Sequence, residues 1–342
     1  MLDTNQVFDD PFLTRPSLLA MLDHREAGAF SVAVPTVVVE EAINQYEKHL
    51  RQRPERGPEE LAREGEGDAP PPGSREWIDR YAQALKQRLD ELGIPILDEP
   101  SHDEIERWRA QGRKPFKANG VGNDGDARIW ATALNFAEGQ DVVLVSRNHK
   151  DFGDDESTLA AELCGDLERR KLSGNRVVLR PSIVHALGDL GAPRVNRAAA
   201  ADLLHRGKGK RRLLDAAERV TTGGLLDDES AELLSLGVEL DPETVYVDSF
   251  APRDPRVNAA VRAGDVIAVE ASVFGVVGVD VLVYRADAYG LSEDSPIHIR
   301  DYDFNESYAE GYATLDVEVV LETTVDGDRD VSSPVILGAR AA

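Results

Sequence analysis

Residues 126–146, DARIWATALNFAEGQDVVLVS, place a helix pattern directly before a strand pattern. The first part has helical composition and ends at Gly139, because glycine is favoured just beyond a helix C-terminus. The second part, DVVLVS, is a short β-branched run typical of a strand buried on both faces. The stretch therefore predicts one helix–strand step of an α/β sheet.

The same alternation extends in both directions along the chain. Residues 32–39, VAVPTVVV, predict a buried strand followed by a helix, and residues 175–182, NRVVLRPS, predict another strand. Residues 74–93 predict an amphipathic helix, since apolar side chains recur on one side and Gly93 stands in the stopping position. Residues 1–192 are thus expected to form a parallel sheet flanked by helices, which binds ligands at the carboxyl ends of its strands.

Three further segments differ from this pattern. Residues 51–73 are rich in Pro, Gly and charge and predict an exposed, mobile insertion. Residues 193–244 predict a basic helical connector, and residues 245–342 predict a separate, mostly antiparallel β domain. Within that domain DYDFNESYAEGY, at 301–312, is interpreted as a loop.

Composition limits the class of protein. The single cysteine, Cys164, excludes an internal disulfide, and no run approaches the ~18 apolar residues of a membrane span. The opening MLDTNQVFDD lacks the basic start of a secretory signal, so a cytoplasmic protein is expected. The net charge of -24 disfavours binding of nucleic acid mainly through phosphate contacts. A site built from clustered carboxylates around a cation remains compatible with it.

Acidic and amide side chains stand where predicted strands end or predicted helices begin. They are Asp3, Glu41, Asp126, Asn148 and Asp151. Strand ends in a parallel sheet share one edge, so these residues are expected to converge there. Mg²⁺ and Mn²⁺ prefer oxygen ligands, and one or two such ions can activate water and stabilise charge on a phosphodiester.

Four motifs resemble those of the PIN-domain nucleases: LDTN, VPTVVVEEA, GNDGDARIWATAL and LVSRNHKDF. The resemblance implies a PIN-like fold, a three-layer parallel sheet with flanking helices. It also implies a catalytic set of Asp3, Glu41, Asp126, Asn148 and Asp151, in which the four acids hold Mg²⁺ or Mn²⁺. Thr4 and Asn5, which follow Asp3, are then expected to support the site and to contact the substrate. The run RKPFK resembles a bacterial subgroup and implies that Arg113, Lys114 and Lys117 meet substrate phosphates.

The implied activity is metal-dependent endoribonuclease cleavage, with single-stranded RNA favoured. The alternative is a catalytically silent PIN fold that binds RNA or protein. Asp126 could instead be an ordinary helix cap, Glu40 is expected to be structural, and Asp124 is expected to belong to a turn. The basic connector could contact RNA or form a solvated helix pair. The acidic β domain is expected to serve a protein partner or an oligomer interface.

Overall fold

The computed structural model describes residues 1–7, 12–27, 30–52, 74–98, 102–116, 124–155, 157–206, 208–222, 244–291, 295, 297–326 and 331–341. These residues group into two compact units, Met1–Ala192 and Pro193–Ala342. The predicted insertion at 51–73 lies outside the described residues from position 53 onward, as does most of 223–244.

The first unit is a mixed α/β structure. Its helices are a 3₁₀ turn (Thr4–Gln6), α1 (Pro16–Ala27), α2 (Thr36–Gln52), α3 (Arg75–Glu91), α4 (His102–Gln111), α5 (Asp124–Ala137), α6 (His149–Phe152), α7 (Ala161–Arg169) and α8 (Ile183–Asp189). Its strands are β1 (Val34–Pro35), β2 (Ile96–Leu97), β3 (Val142–Val145) and β4 (Val177–Arg180).

The strands of this unit are parallel where they pair. β1 pairs with β2, and β3 pairs with β4. The first residues of the chain lie between the two pairs, because Leu2 forms a parallel bridge with Val145 and donates its backbone N–H to the oxygen of Ala33 at 3.0 Å. The predicted parallel α/β fold is confirmed, and its strands are short.

The predicted strand at 32–39 is wrong beyond Pro35, where helix α2 begins at Thr36. The hydroxyl of Thr36 donates to the backbone oxygen of Leu97 at 2.8 Å, at the end of β2. Val37, Val38 and Val39 are all buried in the first turns of α2. A helix buried on several sides and a buried strand give the same continuous apolar run, so periodicity cannot separate them.

The amphipathic helix predicted at 74–93 is confirmed as α3. The side chains that it buries are Trp77, Tyr81, Leu85 and Leu89. Gly93 follows the helix with a φ of +62°, a left-handed conformation that glycine adopts at little cost. Tyr81 stacks on Tyr46 of α2, with ring centroids 4.1 Å apart. This contact holds α3 against the helix that carries Glu41.

The second unit consists of helices and one antiparallel sheet. Its helices are α9 (Arg197–Arg206), α10 (Gly209–Thr222) and α11 (Arg285–Ala288). Its strands are β5 (Thr244–Pro252), β6 (Arg256–Ala263), β7 (Val266–Tyr284), β8 (Ile297–Asp301), β9 (Tyr308–Val325) and β10 (Val335–Ala341).

The long strands β7 and β9 form the centre of that sheet. They pair along their whole length, with β5 and β6 on the other side of β7 and with β8 and β10 on the other side of β9. The predicted antiparallel β region is therefore confirmed. Helices α9 and α10 share a hydrophobic core with the sheet, in which Leu204 and Leu213 pack with Val269 and Leu321.

The loop predicted at 301–312 is wrong at both ends, since β8 ends at Asp301 and β9 begins at Tyr308. Strand β9 begins at Tyr308, and its register places Tyr308 opposite Tyr284 and Tyr312 opposite Asp280. The partly exposed Tyr308, Glu310 and Tyr312 alternate here with the buried Ala309 and Gly311, as expected of a strand with one face in the core. Among the described residues, no helix is both long and apolar enough to cross a membrane.

Candidate metal centre

Asp3 lies at the carboxyl end of the first extended residues, beside the end of β3. Its backbone N–H donates to the oxygen of Val145 at 3.1 Å, so the chain path fixes it at the edge where β3 ends. Asp3 also caps the 3₁₀ turn, because its Oδ1 accepts from the N–H of Thr4 at 2.5 Å. The side chain is buried, and its carboxylate is held on both oxygens.

Ser146 connects Asp3 with the loop after β3. Its hydroxyl donates to Oδ2 of Asp3 and accepts from the backbone N–H of Asn148 at 3.0 Å. The amide of Asn5 donates to the same Asp3 oxygen at 2.9 Å. These bonds leave the Asp3 carboxylate with little freedom to rotate, as expected of a group that is positioned in advance.

Glu41 lies on α2 and faces the 3₁₀ turn. The hydroxyl of Thr4 donates to its Oε2 at 2.7 Å. The neighbouring Glu40 points elsewhere, since its Oε2 accepts from Arg128 at 2.8 Å and the side chain is half exposed. Successive helix positions project about 100° apart, which explains how the adjacent acids reach different surroundings. Glu40 therefore forms an ion pair with Arg128, whereas Glu41 accepts from Thr4.

Asp126 lies in the first turn of α5, and Asp151 lies in α6, just after β3. The amide of Asn148 donates to Oδ1 of Asp126 at 3.0 Å. Asp124, which begins α5, turns away and accepts from Arg109. The first turn of one helix thus carries two acids with different partners.

The carboxylates lie close enough to influence one another's protonation. Burial, together with the charges of Asp3, Asp151 and Glu41, raises the pKa of Asp126 from 3.8 to about 8. Burial also raises the pKa of Asp3 to about 6, against hydrogen bonds from Ser146 and Thr4 that lower it. A site with these shifts has an excess of negative charge, which a bound cation would relieve.

The donor set has the chemistry of a hard-cation site. Carboxylate oxygens suit Mg²⁺ and Mn²⁺, and a neighbouring amide oxygen can complete their coordination. Among the residues that the structure describes, no three His, Cys, Asp or Glu side chains stand in the arrangement of a preformed metal cluster. The charges of Asp3, Glu41 and Asp151 act on Asp126, but the four carboxylates do not form a preformed metal site. An ion bound by all four would have to draw their oxygens closer together.

Two of the residues predicted to contact substrate phosphates, Arg113 and Lys114, have partners within the protein. Arg113 donates to Asp166 at 2.7 Å and lies over the ring of Trp108, with the guanidinium carbon 5.1 Å from the ring centroid. Lys114 donates to the backbone oxygen of Gly153, two residues after Asp151. Lys117 lies outside the described residues.

Two residues near the acids escaped the sequence analysis. Ser146 is buried between Asp3 and Asn148, and Arg147 donates to the backbone oxygen of Asn5 at 2.7 Å. The charge of Arg147 also lowers the pKa of Asp3. Both residues directly follow β3. Their position at the end of a predicted strand was the one feature of the sequence that could have identified them as site residues.

Comparison with known proteins adds one finding. Residues 1–152 match a family model described as PIN domain, and this range contains Asp3, Glu41, Asp126 and Asp151. No curated protein and no solved structure gave a significant match to the chain. PIN domains are generally nucleases, and those nucleases usually use divalent metal ions. Residues 1–152, somewhat less than half of the chain, are therefore similar to the PIN domain family.

Proposed function

We propose that the first unit is a divalent-metal-dependent endoribonuclease whose acids Asp3, Glu41, Asp126 and Asp151 bind Mg²⁺ or Mn²⁺. The observation that carries the proposal is the electrostatic coupling of Asp126 with the three other acids. Carboxylates that repel one another destabilise the folded protein unless protonation or a bound cation removes the repulsion. RNA phosphodiesters are the substrate class that a PIN domain suggests.

The residues around the acids give each of them a defined role in this proposal. Thr4 holds Glu41, while Ser146 and Asn5 hold Asp3, so these carboxylates are oriented before substrate arrives. Asn148 donates to Asp126 and keeps its carboxylate beside the other acids. A bound divalent ion supplies positive charge for the phosphodiester and lowers the pKa of water.

Asn148 contributes no negative charge, so charge balance depends on the four acids. Asp151 lies three positions later, and its charge is one of those that raise the pKa of Asp126. We therefore assign Asp151 as the fourth acid and Asn148 as a residue that positions Asp126 or offers an amide oxygen. A silent fold that only binds RNA would need neither role.

Glu41→Gln is expected to weaken Mn²⁺ binding and lower RNA cleavage by at least about tenfold, because removing one carboxylate reduces the attraction for the ion. Glu40→Gln is the matched control, since it makes the same change one residue away on a side chain that pairs with Arg128. Cleavage of a labelled RNA over a range of Mn²⁺ concentrations separates lost affinity from lost rate.

The control variant is expected to keep its activity within about twofold of wild type. If both variants lost activity equally, Glu41 would have no special part in the site. If neither lost activity while the wild type cleaved RNA, the metal-binding set would have to exclude Glu41.

A further inference from the structure

A cavity of about 310 Å³ opens in the first unit where the end of α4 meets α7. Its charged lining consists of arginines and two acids: Arg107, Arg113, Arg169, Arg170, Glu104 and Asp166. Counted by side chains, the lining has two more positive than negative charges. This excess stands out in a chain whose net charge is -24.

Asp166 fixes the positions of two of these arginines. It is 3 % exposed and accepts from Trp130 Nε1 at 2.9 Å, from Arg113 at 2.7 Å and from Arg169. One buried carboxylate therefore orients two guanidinium groups, and neutralises only one of their charges. Arg113 is further held by the face of Trp108. Arginines that are positioned in advance lose less conformational entropy when they bind an anion.

The remaining two arginines differ in how they are held. Arg170 donates to Glu104 and to Glu138, so its charge is largely matched. Arg169 keeps 62 % of its side chain exposed, and the exposed Arg107 donates through Nε to the backbone oxygen of Asp103 at 3.2 Å. Arg107 and Arg169 therefore provide most of the positive charge that faces solvent at the cavity. Guanidinium groups match phosphate oxygens in geometry as well as in charge.

The cavity is linked to the acids through α4 and α5. Trp130, whose indole holds Asp166, lies one helical turn after Asp126 on α5, a rise of ~6 Å along the axis. Arg109, on the helix that lines the cavity, donates to Asp124 at the start of α5. Because residues four positions apart lie on the same side of a helix, Asp126 and the residue that holds Asp166 share one side of α5.

We propose that this arginine cavity binds a backbone phosphate of the RNA, a short distance along the strand from the bond that is cleaved. The proposal rests on the proposed nuclease function, and it names the part of the substrate that Arg107 and Arg169 contact. It also explains how so acidic a protein can bind a polyanion, because a local positive field can hold phosphate where the average charge would repel it.

The test is binding of a fluorescently labelled, short single-stranded RNA to the full chain in the presence of a chelator, measured by anisotropy at several salt concentrations. The double variant Arg107→Ala/Arg169→Ala is compared with Arg80→Ala/Arg176→Ala, which removes the same charge from the same unit outside the cavity lining. Arg113 still pairs with Asp166 in the cavity variant, so that carboxylate keeps a cationic partner.

We expect the cavity variant to bind RNA about tenfold more weakly than the control variant. Its dependence of log K on log salt should also become shallower by ~0.7 for each lost phosphate contact. Equal affinities and equal salt slopes in the two double variants would overturn the proposal, as would a wild type that binds RNA no better than the cavity variant. Because a chelator is present throughout, the result does not depend on whether the protein cleaves RNA.

If binding fails in the cavity variant because the unit has unfolded, tryptophan fluorescence will reveal it, since all three tryptophans lie in the first unit. In that case Arg169→Gln alone provides the test, because the amide keeps a hydrogen-bond donor for Asp166 while removing the charge. A salt slope unchanged from wild type in this folded variant would also overturn the proposal.

Discussion

Asp126→Asn is expected to lower the rate of metal-dependent RNA cleavage by about 100- to 1,000-fold, the range found when one preorganised electrostatic group is lost from an active site. Asp126 is the acid whose charge is coupled to the three others, so its loss removes both a ligand and the centre of the negative field. The amide keeps the size of the side chain and its place in the first turn of α5. The measurement is the initial rate of cleavage at saturating Mn²⁺.

Asp124→Asn is the matched control for this prediction. It makes the same change in the same helical turn, at a side chain that accepts from Arg109. We expect its cleavage rate to stay within a few-fold of wild type. Similar losses in both variants would mean that helix charge or folding, and not the ligand set, determines the rate.

Asp126→Asn is also expected to stabilise the first unit when no metal is present, by on the order of 2 kcal/mol near pH 8. Burial raises the pKa of Asp126 to about 8 in the folded protein, whereas its unperturbed value is 3.8. Between these values the folded state holds a proton that the unfolded state has lost. The free energy of unfolding therefore falls as pH rises from about 4 to about 8 and then levels off.

Chemical denaturation followed by tryptophan fluorescence measures this effect, because Trp77, Trp108 and Trp130 all lie in the first unit. The wild type should lose stability across that pH range, and Asp126→Asn should lose less. Added Mn²⁺ should make the wild type more stable than Asp126→Asn, because the wild type binds the ion more tightly. At a concentration of 100 times Kd it adds about 2.7 kcal/mol to a protein that binds it only when folded. A variant no more stable than wild type without metal would contradict the raised pKa.

Much of the first unit follows from its sequence. The runs at 142–145 and 177–180 form the paired strands β3 and β4, and the apolar side chains of α3 lie buried on one face. These elements combine a clear period with strong stop signals, such as Gly93. The order of the four motifs also placed the acids near one another, because a parallel sheet brings the ends of its strands to one edge.

Other features depend on tertiary packing. The valines after Pro35 belong to helix α2, which is buried on several sides. A continuous run of apolar residues does not distinguish such a helix from a buried strand. Ser146 acquires its role only when the chain start lies beside β3 and brings Asp3 to it. The arginine cavity combines side chains from α4 and α7, which lie far apart in the sequence. No local pattern identifies contacts of this kind.

The measurement that bears most directly on the proposed activity is cleavage of labelled single-stranded and structured RNAs by the wild-type chain, with Mn²⁺, with Mg²⁺ and with a chelator. We expect shorter products with at least one of the two metals, more rapidly from single-stranded RNA, and none with the chelator. Intact RNA in every sample, from folded protein and under conditions where a known nuclease cleaves, would contradict the assignment of the acids as a catalytic metal site.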